Sequence, residues 1–129
     1  FKIDTIYLTK NDNEFLKKEF ENIQFDFNKF SLTQKSKDIL DRVAQYLNIK
    51  LKLRIYIEGH TDDIDNNSFN MLLSENRVKS VMNYLVSRGV LKSRIKLGWK
   101  GESQPLINSK TESARAANRR VEVRVIGEN

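Results

Sequence analysis

The sequence predicts an α/β (α+β) fold: a two-layer sandwich of βαβαββ order, with a mixed four-stranded sheet and helices packed on one face. Three observations carry that expectation. Short stretches alternate apolar and polar residues with period two. Longer stretches place apolar residues at helical spacing. The two kinds take turns along the chain. The 129 residues, 39% hydrophobic and 31% charged, suffice for one domain with one core. The expected division is an N-terminal lead-in at residues 1–20 and a single domain over 21–129.

Lys2 to Thr9 alternate loosely and suggest an edge strand, and Glu14 to Glu21 suggest a short helical or extended lead-in. Ile23, Phe25 and Phe27 alternate with Gln24 and Asp26, which predicts the first strand of the domain. Leu32 to Leu47 predicts a helix, with Thr33 as its N-cap and Ile39, Leu40, Val43, Ala44 and Leu47 along one face. Leu51, Leu53, Ile55 and Ile57 alternate with Lys52, Arg54, Tyr56 and Glu58 and give the clearest strand. A polar loop from Gly59 to Asn67 leads to a long helix, capped by Ser68 and stopped at Gly89. Arg94 to Leu97 predicts a short strand, Gly98 to Lys110 a loop holding the single proline, and Thr111 to Ala117 a short helical turn. Val121, Val123 and Val125 alternate with polar neighbours in a final strand.

Composition narrows the chemistry. There is no cysteine and one histidine, which excludes disulfides, thiolate metal sites and multi-histidine metal sites. No apolar run approaches the ~20 residues of a membrane-spanning helix. The sequence begins at Phe1, without Met or a signal peptide, and reads as a mature or excised part of something longer. The formal net charge of +6 favours anionic partners in principle. Basic and acidic residues are interleaved almost everywhere, however, and a solvated lysine-rich surface explains the balance better.

The long helix carries the chemistry. At about 100° per residue, Phe69, Leu73, Val81, Tyr84 and Leu85 share one apolar face, and Asn70 and Arg77 fall inside it. An arginine on a core-facing stripe is costly unless acids and hydrogen bonds compensate it, so Arg77 is expected at the core edge, facing an acid. Asp62, in the loop feeding this helix, is the nearest suitable one. The two are expected to flank one small pocket, in which the carboxylate takes an ammonium and the guanidinium takes a carboxylate. Two plainer readings stand beside this one. Asp62 only closes an Asx-turn, or Arg77 is only a structural ion pair holding loop to helix.

Several motifs in order give a resemblance. Ile57-Glu-Gly-His-Thr-Asp62, Asn70-Met-Leu-Leu-Ser-Glu-Asn-Arg77, Gly98-Trp-Lys-Gly-Glu-Ser-Gln-Pro105 and Arg115-Ala-Ala-Asn-Arg-Arg-Val121 resemble the signatures of the OmpA-like, MotB-like peptidoglycan-binding family. Ile23-Gln-Phe-Asp-Phe-Asn28 resembles its first strand, and the likeness runs from about Ile23 to Ile126. The resemblance implies non-catalytic binding of the peptidoglycan stem peptide at its diaminopimelate residue, without a cofactor. It puts the key contacts at Asp62 and Arg77. It adds the loop around Asn28, with Thr61, Asn70 and Arg115 as further ligand-binding candidates, and gives Asn118 and Arg119 a mainly structural role. It also implies a periplasmic, outer-membrane-associated setting, within a lipoprotein, porin-like protein, motor stator or secretion component. Three positions depart from the family pattern: Lys100 is inserted in the glycine loop, Asp65 replaces a glycine three residues after Asp62, and Ala114 replaces a glycine before Arg115. Aspartate tolerates left-handed backbone better than most residues, so the Asp65 loop is expected to survive.

Other readings are weaker. No serine stands in a nucleophile elbow, and His60 reads as a strand-end residue bonded locally. Asp63, Asp65 and Asn67 copy the start of a calcium loop, but Ser68 and Ser74 stand where its glycine and bidentate glutamate belong. A basic nucleic-acid module lacks an aromatic RNA-binding motif or recognition helix, and the acidic loop repels phosphate. A protein-interaction module is the remaining alternative.

Overall fold

The computed structural model describes residues 2–128, and side chains from Lys10 to Gly127. The elements are α1 (Lys2–Phe20), α2 (Gln34–Ile49), β1 (Leu53–Gly59), α3 (Asn67–Ser87), a 3₁₀ turn (Lys92–Arg94), β2 (Ile95–Trp99), α4 (Glu112–Asn118) and β3 (Val121–Glu128). The sheet has three strands in the order β2-β1-β3. β1 runs parallel to β2 and antiparallel to β3, so the sheet is mixed as expected.

The expected fourth strand is absent among the described residues. Ile23 and Phe25 are buried and alternate with Gln24, but the only pairing is an isolated bridge from Gln24 to Arg120. The chain then turns, with Lys29 N–H donating to Asp26 O at 3.1 Å and Asn28 at φ 55°, and Phe27 faces outward. The carbonyls of Phe25, Asp26 and Lys29 are taken by arginine side chains instead of a neighbouring strand. The period-two pattern therefore marks an extended, half-buried segment rather than a ladder strand.

The N-terminal expectation also changes. Lys2 to Thr9 belong to helix α1, not to an edge strand. The second half of α1 is rich in good helix formers, and Leu16 and Phe20, four apart, are buried in the core. Once that half is formed, each further residue adds to the helix at low cost. α1 packs against β3, and Asn13 Oδ1 accepts the Val125 N–H at 2.9 Å, which occupies a donor on the outer edge of the sheet.

The remaining elements form where the patterns put them. Thr33 caps α2 by accepting the Ser36 N–H. The cap of α3 is Asn66 rather than Ser68, accepting the Phe69 N–H at 2.8 Å. The start moves two residues earlier because an asparagine oxygen serves the free N–H groups as well as a serine does. Gly89 ends α3 with φ 96°. β1 buries Leu53, Ile55, Ile57 and Gly59 on one face. α3 lies against that face and α2 lies against α3. Leu73, Val81 and Leu85 are in the core, whereas Phe69, expected with them, is 41% exposed because it sits in the first turn, beyond the sheet's end. Arg94 is buried and donates to Leu47 O, Lys50 O and Leu53 O, tying the end of α2 to the start of β1.

The closest approach of a glycine to neighbouring backbone is at the end of β1. A Cβ on Gly59 would lie 2.4 Å from Ser74 O and 2.8 Å from Val78 Cγ1. Backbone cannot yield there as a flexible side-chain tip can. Gly59→Ala is expected to lower stability by about 1–3 kcal/mol, the range for overpacking a filled core. Urea unfolding should show a lower midpoint at unchanged slope.

Candidate functional site

The site gathers where β1 ends. Gly59 is held against α3, and the next residues form the loop that becomes α3's N-terminus. His60 N–H donates to Arg120 O at 2.9 Å and Thr61 N–H to Gly101 O at 2.8 Å, which fixes the loop between β3 and the glycine loop after β2. Ser74 on α3 accepts the Gly101 N–H at 2.9 Å and so anchors the same glycine loop from below. Thr61 and Asp62 emerge from this frame nearly buried.

Asp62 is 5% exposed and both of its oxygens are occupied. Oδ1 accepts the Ile64 N–H at 3.1 Å, the Asx-turn contact of the plainer reading. Oδ2 accepts from Arg119 Nη1 at 3.1 Å. Arg119 also donates to Phe25 O and to Glu112 Oε1. Burial alone would lower the Arg119 pKa, but the hydrogen bonds and charges of Glu112 and Asp62 outweigh it and raise it.

Arg77 makes no hydrogen bond or ion pair with Asp62, which acts on it only through space. It is 0% exposed and donates three hydrogen bonds, all to main-chain carbonyls: Nε to Lys29 at 2.8 Å, Nη1 to His60 at 3.2 Å and Nη2 to Asp26 at 3.0 Å. Its guanidinium carbon lies 5.0 Å from the Phe25 ring centroid. Desolvation pulls its pKa down to about 10; Asp62 opposes the fall through space and Arg119 adds to it. The reason for the geometry is accounting. The turn at residues 26–29 has carbonyls with no strand partner, and a guanidinium on α3's third turn reaches them.

Asp62 borders an open cleft of ≈200 Å³, together with Thr61, Asp63, Glu102, Lys110 and Asn118, and Arg77 does not line it. The expected common pocket for Asp62 and Arg77 is therefore one wall in the open and one wall behind the 26–29 turn. Asn70 is 1% exposed; its amide donates to Ile64 O at 2.7 Å and Glu102 Oε1 at 3.1 Å, and its Oδ1 has no partner. Arg115 donates to Asp63 Oδ1 at 2.9 Å at the cleft's rim. Asn28 is exposed on the turn that Arg77 grips. Asn118 accepts from the N–H groups of Leu106 and Ile107, holding the long loop over the cleft.

A profile of the OmpA family matches residues 24–119. The chain belongs to the OmpA family. The Outer membrane protein A of Bordetella avium is 42% identical over 103 residues, which cover 80% of this chain and 53% of that protein. The Peptidoglycan-associated lipoprotein of Haemophilus influenzae is 30% identical over 105 residues, covering 81% of this chain and 69% of its own. The crystal structure of the peptidoglycan-associated lipoprotein from Burkholderia pseudomallei matches with a TM-score of 0.77 at 27% identity, over 80% of this chain and 87% of that one. This chain thus spans about half the length of the Bordetella relative.

Within this OmpA-family domain, Asp65 has φ 71°, so the aspartate does occupy left-handed backbone where the family pattern has glycine. Sequence reasoning missed two partners of the acidic loop, Arg119 and Lys110. The signal for Arg119 was present: Glu112 and Arg119 are seven apart on one short helix and its cap, two turns on the same face. Lys110 Nζ reaches Asp63 Oδ2 at 2.8 Å across a loop, and no periodicity encodes that.

Asp63 supplies a pH signature. Hydrogen bonds from Lys110 and then Arg115 hold its carboxyl down from 3.8 to about 2. A depressed folded-state pKa contributes stability above the unfolded value and loses it as pH falls through the folded one. The contribution is therefore whole above about pH 4 and disappears toward pH 2. Asp63 is partly exposed, so the effect is small and screened by salt. Asp63→Asn is expected to flatten the stability–pH curve between those limits, as read by urea unfolding at stepped pH.

Proposed function

We propose that this OmpA-family domain binds peptidoglycan non-covalently, without catalysis, and anchors a larger envelope protein to the cell wall from the periplasmic side of the outer membrane. The Haemophilus and Burkholderia relatives are named for peptidoglycan association, and the Bordetella relative for the outer membrane. The binding unit is placed at 21–129. Residues 1–20 are its lead-in, with Leu16 and Phe20 sharing its core.

The ligand group proposed is the diaminopimelate residue of the stem peptide, whose far end carries an ammonium and a carboxylate on one carbon. The observation that carries this reading is the state of Arg77. A guanidinium has five N–H donors, and three are used here, which leaves one on each terminal nitrogen. That is the donor pair a carboxylate takes in a two-pronged contact. A buried cation held only by neutral carbonyls also gains more from an anion than a paired one does. Docking requires the 26–29 turn, with Asn28 at its tip, to shift and open a path to Arg77. Asp62, at the cleft, receives the ammonium in exchange for part of its contact with Arg119. Thr61, Asn70 and Arg115 shape the cleft around them. The carboxylates of Asp62, Asp63 and Glu102 along the same cleft disfavour a phosphate backbone.

Asp62→Ala should weaken binding of a diaminopimelate-containing stem peptide by about 2–5 kcal/mol, the scale for breaking one side of a desolvated charge contact. Arg77→Lys keeps the charge but loses the fork, and should weaken binding with the far-ultraviolet dichroism unchanged. A stem peptide carrying lysine offers the ammonium alone and should bind more weakly than the diaminopimelate form. Isothermal titration decides among these. Equal affinity for both peptides would refute the Arg77 assignment while leaving wall binding open, and no retention on purified sacculi would refute wall binding itself.

A further inference from the structure

A second convergence of ligand atoms lies beside the site but outside its cleft. Glu58, His60 and Glu122 each bring one such atom within 4.8 Å of the others. Glu58 and Glu122 stand directly opposite in the β1–β3 register. Like charges placed so repel and weaken a sheet. Each carboxylate has one oxygen already fixed by a donor: Tyr56 O–H to Glu58 Oε2 at 2.7 Å, and Arg120 Nε–H to Glu122 Oε2 at 2.6 Å. The other two oxygens lie near a single atom, His60 Nε2, which hydrogen-bonds Glu58 Oε1 at 3.0 Å and lies 4.0 Å from Glu122 Oε1. The ring is buried, while Glu122 is half exposed, so one side opens to water.

We propose that Glu58, His60 and Glu122 form a binding site for a divalent transition-metal ion of the zinc class, with water at the fourth position. One imidazole nitrogen and two carboxylate oxygens suit zinc, whereas calcium and magnesium take oxygen alone. A carboxylate oriented by a hydrogen bond on its other oxygen is the arrangement that supports metal ligation. A cation between the two glutamates also removes their repulsion across the strands. Burial and the Arg120 charge lower the His60 pKa against the pull of Glu122 and Glu58. Two effects oppose tight binding. Arg120 sits beside Glu122, and ligation through Nε2 moves the ring proton to Nδ1, which is buried without a partner. The site is therefore weaker than a structural zinc site. His60 O also accepts from Arg77, so an ion on the His60 ring would stiffen the strand end from which Thr61 and Asp62 emerge.

The test is calorimetric titration of zinc chloride into the metal-stripped protein, with the His60 ring ¹⁵N resonances followed in parallel. One ion per chain is expected, with the ring resonances shifting. E58Q and E122Q should each weaken uptake by about tenfold or more, as loss of a ligand or its orienting partner does. Glu75→Gln, which removes an acid paired with Lys79 on α3, should leave uptake unchanged. Absence of stoichiometric uptake, or uptake unaltered in E122Q, overturns the proposal. Glu122 is exposed enough that E122Q keeps its fold, so the result is readable even if E58Q does not fold.

Discussion

The organisation of this domain depends on where two arginines spend their hydrogen bonds. Arg77 and Arg119 together take the carbonyls of Phe25, Asp26 and Lys29, main-chain groups that a neighbouring strand would otherwise satisfy. Burying those carbonyls without donors would be costly, and burying the guanidiniums without acceptors more so. Each need answers the other. The result fixes residues 25–29 against α3 and α4 without a ladder, and it does so beside the end of the central strand, where Asp62 emerges.

That arrangement explains which parts of the molecule were legible in the sequence. α2, β1 and β3 were, because their apolar residues repeat at a single period, and the cap of α2 at Thr33 and the stop of α3 at Gly89 are local chemistry. Asp65 was legible too, since its tolerance of left-handed backbone is a property of the residue itself. Lys2–Thr9 misled because isoleucine, threonine and tyrosine favour strands, while the helix they join is set by Leu16 and Phe20 further on. Ile23–Phe27 misled because alternation reports which side chains are buried, not which main-chain groups are paired. The partners of Arg77 were not legible for a related reason. Charge arguments sought an acid for a buried cation, and the fold supplied carbonyls from a segment 48 and 51 residues away.

The family motifs take on physical meaning in this light. Gly59 is needed because β1 meets Ser74 on α3 too closely for a side chain, and Ser74 in turn holds the Gly101 N–H. The serine and the arginine three residues on are thus two attachments from one helix, to the glycine loop and to the 26–29 turn. Asn118 and Arg119 do the same from α4, one holding the loop over the cleft and the other bridging Asp62 to Glu112. What reads as a string of separate signatures is one frame around a strand end.

The bond between Asn13 and the Val125 N–H has a bearing on how such a domain survives crowding. A strand margin with open donors is a template for another chain, and many copies packed into a thin compartment meet each other often. A side chain from the N-terminal helix masks that margin at one point, and the helix lies along the strand that bears it. The leading segment therefore shields against self-association as well as adding to the core, and a shorter version beginning at residue 21 would lose both that cover and the core side chains of Leu16 and Phe20.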